Sequence, residues 1–236
     1  MPWTRPREIV IIRHGQSLRN LVVGENFVIP DEAARERIAE FYDHTIPLTD
    51  EGHRQSESTG PPLIQEFGMP DCVYHSGYVR AEQTVIGLLR HLPVSERERI
   101  RVYHKIELRE RDPGYTWHMT YQEVEQHFPW LFEHHRRVGK FFYRPPGGQS
   151  LAELADGRVH SILGTVARDR PGSSVWFVCH GGVIRALRFN LERTPLADVD
   201  DLFSEPIESC AVTRYVYEEG SEVPVRTHLN KVYWGE

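Results

Sequence analysis

The 236-residue chain has little cysteine and almost no lysine, and it lacks any long apolar run. Its three cysteines, Cys72, Cys179 and Cys210, are odd in number and far apart. That excludes a disulfide-stapled scaffold and fits thiols kept in a reducing compartment. Cys72 and Cys179 fall inside apolar runs and read as buried. No stretch approaches the roughly 20 apolar residues that span a bilayer. The opening Met1-Pro2-Trp3-Thr4-Arg5-Pro6-Arg7 has no apolar core of a secretion signal. A cytoplasmic protein without a membrane partner is the expectation. The net charge of −6 disfavours general binding to nucleic acid or anionic lipid. Lysine occurs only at 105, 140 and 231, so the basic side is almost wholly arginine. There are 13 histidines but no His-Glu-x-x-His and no Cys-x-x-Cys. The adjacent His134 and His135 would not face each other on a helix. No metal and no other cofactor is expected. Nothing in the sequence sets an oligomeric state.

What remains is an ordinary globular composition, 39% hydrophobic and 26% charged. The length suits one domain, 1–236, with a full core. There are no internal repeats. β-Branched and apolar runs at residues 8–12, 71–75, 100–106 and 174–179 read as strands, and helical spacing lies between them. Two C-terminal strands, 210–217 and 223–229, flank Gly220 as a hairpin. The alternation implies an α/β fold: a mostly parallel central sheet, helices on both faces, the hairpin at or near one edge. Tyr121, Val124, Phe128, Leu131 and Phe132 have helical spacing and read as core.

Each strand run ends in residues with chemistry. Residues 8–12 lead into Arg13-His14-Gly15. In open α/β sheets ligands bind beyond the carboxyl ends of the strands. Arginine offers a fork of donors to phosphate oxygens, and histidine can act as a nucleophile. A tripeptide alone matches by chance. A second strand, 174–179, makes the same offer with His180-Gly181-Gly182, followed by a helix whose start favours an anion. A third, 71–75, precedes Ser76-Gly77-Tyr78-Val79-Arg80, which places Arg80 in a first helical turn. A fourth, 100–106, leads to Leu108-Arg109-Glu110 and a Pro113-Gly114 turn. Like charge favours the protonated form of a carboxyl group beside a dianionic phosphate, which makes Glu110 a candidate general acid. Attack by His14 needs one neutral nitrogen, so its other nitrogen should donate to a carbonyl of the Gly15 loop. Arg19 and Arg188 carry no motif and read as mild controls.

Together these residues resemble the histidine phosphatase, or phosphoglycerate mutase-like, superfamily. The matching pieces are Arg13-His14-Gly15 with Ser17 and Asn20, Leu48-Thr49-Asp50-Glu51-Gly52, Ser76 to Thr84 around Arg80, Leu108-Arg109-Glu110, Pro146-Gly147-Gly148-Gln149-Ser150 and His180-Gly181-Gly182. They stand in the family's order across most of the chain. The resemblance implies a phosphoric monoester hydrolase with His14 as phosphorylated nucleophile. Arg13, Arg80 and His180 would hold the phosphoryl group. Asn20 and the Gly181 N–H would be supporting donors, with Ser17 beside them at the substrate. Glu110 would protonate the leaving oxygen, then serve as base toward water. The implied partner is a small phosphorylated substrate, or a phosphoprotein.

Several departures stand out. Gln16 and Gln149 replace acidic residues usual in the family. Ser76-Gly77 replaces Ser-Pro, which should loosen that turn. An insertion at about 21–46 holds a charged helix-like run, 31–42. Gly60-Pro61-Pro62 should break or kink the helix after Leu48. Segments 115–118 and 140–148 mix aromatics and cations, as a substrate lid or as simple packing. Two other functions fit the same motifs: a cofactor-dependent phosphoglycerate mutase and a non-catalytic phospho-ligand-binding protein. Mutases carry an Arg-His-Tyr-Gly run after the catalytic Glu. Here Arg111-Asp112-Pro113-Gly114 follows Glu110, which favours the phosphatase.

Overall fold

The computed structural model describes residues 4–24 and 28–235. The first residues of the leader reading and the middle of the insertion, 25–27, lie outside them. Six strands form one sheet in the order β3-β2-β4-β1-β5-β6. They are β1 Glu8–Arg13, β2 Cys72–His75, β3 Arg101–His104, β4 Ser174–Cys179, β5 Val212–Val216 and β6 Val225–Lys231. The first four run parallel, so their carboxyl ends share one edge. β5 is antiparallel to β1, and the β5–β6 hairpin closes one side as expected.

The central strands are buried on both faces, and their side chains alternate between two cores. Ile9, Ile11, Val175 and Phe177 face one core, under helices Leu151–Leu154, His160–Asp169 and Gly181–Glu192. Val10, Ile12, Trp176 and Val178 face the other, under helices Asp50–Phe67 and Val79–Leu89. All three cysteines are buried and free.

Three expectations about helices and turns need correction. The helix Asp50–Phe67 runs unbroken through Pro61 and Pro62. Pro61 and Ser58 lie on its exposed side, where water can serve the carbonyls that lose a donor. Tertiary packing of Leu63 and Phe67 into the second core holds the rest. Gly77 is not slack. It sits at φ 76°, where proline cannot go, and an added Cβ would meet His104 Nε2 at 2.1 Å. The helix within the insertion is short, Glu32–Glu36, capped by Asp31.

The insertion and the segment after Glu110 pack on each other. Ile29 and Thr120 form a bridge, and Arg35 pairs with Glu123 at 2.7 Å. Val124 and Leu131 are fully buried in this satellite core, with Phe128 and Phe132 against it. Tyr121 is instead about half exposed, stacked on Phe132. Within 140–148, Phe141 and Tyr143 are buried, so most of that segment is packing. Trp117 and His118 line the outer of the cavities described next.

Candidate active site

The carboxyl ends of the parallel strands deliver the predicted residues to one place. Arg13 closes β1 and His14 follows, its N–H bonded to the Cys179 carbonyl of β4 at 2.9 Å. His180 follows β4 and caps helix Gly181–Glu192. Arg80 lies in the first turn of helix Val79–Leu89, after β2. Glu110 lies beyond β3 and a short turn, Ile106–Leu108. A cavity of about 370 Å³ is lined by Arg13, His14, Arg80, Glu110 and Gly181. Ser17 and Asn20 line it too. At Asp43, Glu110, Pro113 and Trp117 it meets a wider outer lobe of about 640 Å³.

His14 is almost wholly buried. Its Nδ1 lies 2.7 Å from the Gly15 carbonyl. A carbonyl only accepts, so Nδ1 carries the proton and Nε2 keeps a lone pair. Burial, then the charges of Arg80 and Arg13, push its pKa well below the usual imidazole value. The ring is therefore neutral and nucleophilic at pH 7. His180 is pushed the same way by burial, Arg80 and His14, and the two rings lie 5.1 Å apart. His180 Nε2 bonds Ser76 Oγ at 2.8 Å, while Nδ1 is buried with no partner among the described residues. Ser76 Oγ also accepts the Tyr78 N–H at 3.3 Å, so it is free to give its own proton to His180 Nε2. In that tautomer His180 Nδ1–H is a donor without an acceptor among the described residues.

Glu110 is held at both oxygens by backbone. Oε1 accepts the Arg111 N–H at 2.7 Å and Oε2 accepts the Gly182 N–H at 3.1 Å. Gly182 makes this possible: a Cβ there would sit 2.4 Å from Glu110 Oε1. Ser17 caps helix Leu18–Val23, and its hydroxyl and N–H both donate to Asn20 Oδ1. Ser17 is thereby spent on the cap, while the Asn20 amide nitrogen has no partner among the described residues. Gly181 opens its helix with an N–H that has no intrahelical acceptor.

The structure adds residues that the sequence does not mark. Asp43, from the insertion, accepts from Arg80 at its carbonyl and at Oδ1, the latter at 2.9 Å. Arg19, expected to be a mild control, lines the inner lobe with its guanidinium 3.6 Å above the Trp117 ring. Burial, partly offset by Asp43, pushes its pKa down to about 10. Arg111 and Arg185 line the same lobe. Arg188 is also no control, being buried in an ion pair with Glu192 at 3.0 Å. No local pattern around Arg19 or Asp43 announces a site; only the contacts of Arg19 with Trp117 and of Asp43 with Arg80 do so. Of the two altered acidic positions, Gln16 accepts from Thr49 at 2.8 Å and Gln149 from Arg158 at 2.9 Å. Among the described residues no group of three or more His, Cys, Asp or Glu could hold a metal. No helix among them is long and apolar enough to cross a membrane.

Residues 9–230, from β1 to the end of the hairpin, match the histidine phosphatase superfamily (branch 1). The chain belongs to that superfamily. Among its relatives is a phosphoglycerate mutase-like protein of Arabidopsis thaliana, 32% identical over 70% of this chain and 54% of its own length. The chain thus spans about half of that plant protein. A 2,3-bisphosphoglycerate-dependent phosphoglycerate mutase of Methylobacterium radiotolerans is 30% identical over 83% of this chain and 84% of its own. In fold, the chain is similar to Bacillus stearothermophilus YhfR, at TM-score 0.74 and 22% identity over 97% and 99% of the two chains. A mycobacterial glucosyl-3-phosphoglycerate phosphatase superposes at TM-score 0.68 and 20% identity, again over 97% and 99%. These last two likenesses are of fold, and within the superfamily the site decides what is done.

Proposed function

We propose that this superfamily member hydrolyses phosphomonoesters through a phosphohistidine on His14. The observation that carries the reading is the pinned tautomer of His14, with its Nε2 lone pair held in a cavity walled by Arg13 and Arg80. Nε2 attacks phosphorus as the ester oxygen leaves on the opposite side. Phosphoryl transfer of this kind needs in-line placement and charge neutralisation above all. Arg13, Arg80 and the His180 ring beside them supply the latter, each charge-assisted bond contributing roughly 1.5–3 kcal/mol. The Asn20 amide and the Gly181 N–H add donors.

An alkoxide leaves poorly without a proton, and Glu110 gives it one. In the second step the same carboxylate takes a proton from water, which attacks the phosphohistidine and frees inorganic phosphate. The carboxylate is aimed by two backbone N–H groups and stands where the two lobes meet, so water and leaving group both reach it. The aromatic-edged outer lobe suits a small organic phosphate ester better than a folded phosphoprotein.

The test is to trap enzyme labelled from a phosphate ester by an alkaline quench. Base-stable, acid-labile label that is lost in His14→Ala is expected. Label retained in that variant, or no label surviving the alkaline quench, removes His14 from the role. A mutase reading draws on the Methylobacterium relative and on the further cations Arg19, Arg111 and Arg185, which suit a second anion. It is separated by giving the enzyme 3-phosphoglycerate with catalytic 2,3-bisphosphoglycerate. Release of inorganic phosphate, or no reaction, is expected; efficient formation of 2-phosphoglycerate overturns the phosphatase.

A further inference from the structure

We infer that Arg158 is a positioning residue for Glu110, an inference that rests on Glu110 being the general acid and base. Arg158 lies within a π-helical turn, Ala155–Val159, joining helices Leu151–Leu154 and His160–Asp169. Such turns inside α-helices are frequent at functional sites. Here the turn is supported from outside: the Asn190 side chain donates to the Ala155 carbonyl at 3.0 Å.

The guanidinium is aimed at the backbone of the Glu110 loop. Nη1 donates to the carbonyls of Ile106, Glu107 and Arg109, at 3.2, 3.3 and 2.8 Å. Nη2 donates to the Glu110 carbonyl at 3.3 Å and to Gln149 Oε1 at 2.9 Å. The loop past β3 has left the sheet, and these carbonyls have few other donors. One flat fork with several N–H groups can gather them; a lysine, with a point charge on a mobile stem, cannot hold the same set. Arg158 thus fixes the backbone on which Glu110 stands, while the Gly182 N–H fixes its carboxylate. Gln149, where the family often has Glu, completes the clamp with a neutral acceptor. The Arg158 charge is then not cancelled by a carboxylate at 149, and it lies near enough to His180 to help keep that ring neutral.

A misplaced general acid has a signature that general destabilisation lacks. Esters with poor leaving groups need the proton, and p-nitrophenyl phosphate needs it far less. The experiment compares Arg158→Lys and Glu110→Gln with wild type by the burst-phase phosphorylation rate on an alkyl phosphate and on p-nitrophenyl phosphate. KM and thermal unfolding are measured alongside. Displacement of a catalytic group by about 1 Å can cost about 10²-fold. Arg158→Lys should therefore lose about tenfold or more on the alkyl ester and much less on the aryl ester, with KM little changed. Equal losses on both esters, or a change confined to KM, overturn the inference while Glu110→Gln still discriminates. If Glu110→Gln itself fails to discriminate, the general-acid reading falls and the inference with it. Gln149→Ala removes only the side-chain anchor of the clamp. It should show the same selective loss at smaller size, and it decides the question if lysine at 158 does not fold.

Discussion

Acid should destabilise this fold through two histidines in particular. His14 and His180 are buried, and both have pKa values pushed well below 6.5, first by loss of water and then by neighbouring positive charge. Unfolding returns each to about 6.5. Below that pH the unfolded chain binds two protons that the folded chain refuses, so stability falls as pH falls. The contribution is complete above 6.5 and is lost progressively beneath it. At pH 5.5 an unfolded imidazole gains about 1.4 kcal/mol from protonation, against almost nothing at pH 7.5. Two of them remove at most about 3 kcal/mol, against a typical 5–15 kcal/mol. Urea unfolding in phosphate-free buffer at the two pH values measures this. His14→Gln with His180→Gln should flatten the pH dependence, by up to about 3 kcal/mol, and each alone by less. Because the rings are 5.1 Å apart, the double variant gives the cleaner reading. An unchanged pH dependence in the double variant would show that the folded protein accepts these protons, and the neutral-nucleophile reasoning would fail.

Other outcomes follow from single contacts. Gly182→Ala puts a Cβ against the Glu110 carboxylate and displaces it from the Gly182 N–H. Losing one charge-assisted bond of about 1.5–3 kcal/mol should slow phosphorylation by an alkyl phosphate about 10- to 100-fold; a wild-type burst rate would mean that the bond does not aim the acid. Arg80→Ala should weaken vanadate inhibition at least tenfold, whereas the exposed Arg54 serves as control in Arg54→Ala; equal effects would mean the pocket is misplaced. Arg19→Ala, contrary to the expectation from sequence, should raise KM several-fold, since the guanidinium lies in the inner lobe; an unaltered KM would leave it a purely structural partner of Trp117. Activity should persist after exhaustive chelation, and loss that Zn²⁺ or Mg²⁺ restores would contradict catalysis by arginine and imidazole alone.

The legible part of this molecule is what local chemistry dictates. β-Branched runs name the buried strands, and the residues just past their ends name His14, Arg80, Glu110 and His180. Parallel pairing then gathers those ends without further instruction. Even the His14 tautomer follows, because the next carbonyl is within reach of its ring. The hidden part depends on how distant segments settle on one another. Asp43 reaches Arg80 only because the insertion folds back over the strand ends, and Arg19 enters the site only because Trp117 sits above it. Pro61 and Pro62 mislead because local breakers yield where their face is wet and the opposite face is packed. Gly77 misleads in the other sense: a residue that permits many backbone angles is used here for one that few others could adopt.

The Asp43–Arg80 pair gives the cavity a resident anion, and that alters what arrival of a phosphate means. Arg80 is already bonded to a carboxylate and a carbonyl before any ligand comes. Two of its five N–H groups are used in this way, so a phosphate takes the remaining ones beside a standing carboxylate. The charge of that carboxylate subtracts from the affinity. Substrate and inorganic phosphate are discounted alike, so the product is not held in a trap of its own charge. Bonds that tighten only as the phosphoryl group flattens toward the transition state escape much of the discount. A tethered charge of this kind loosens both ends of the reaction path more than it loosens the middle.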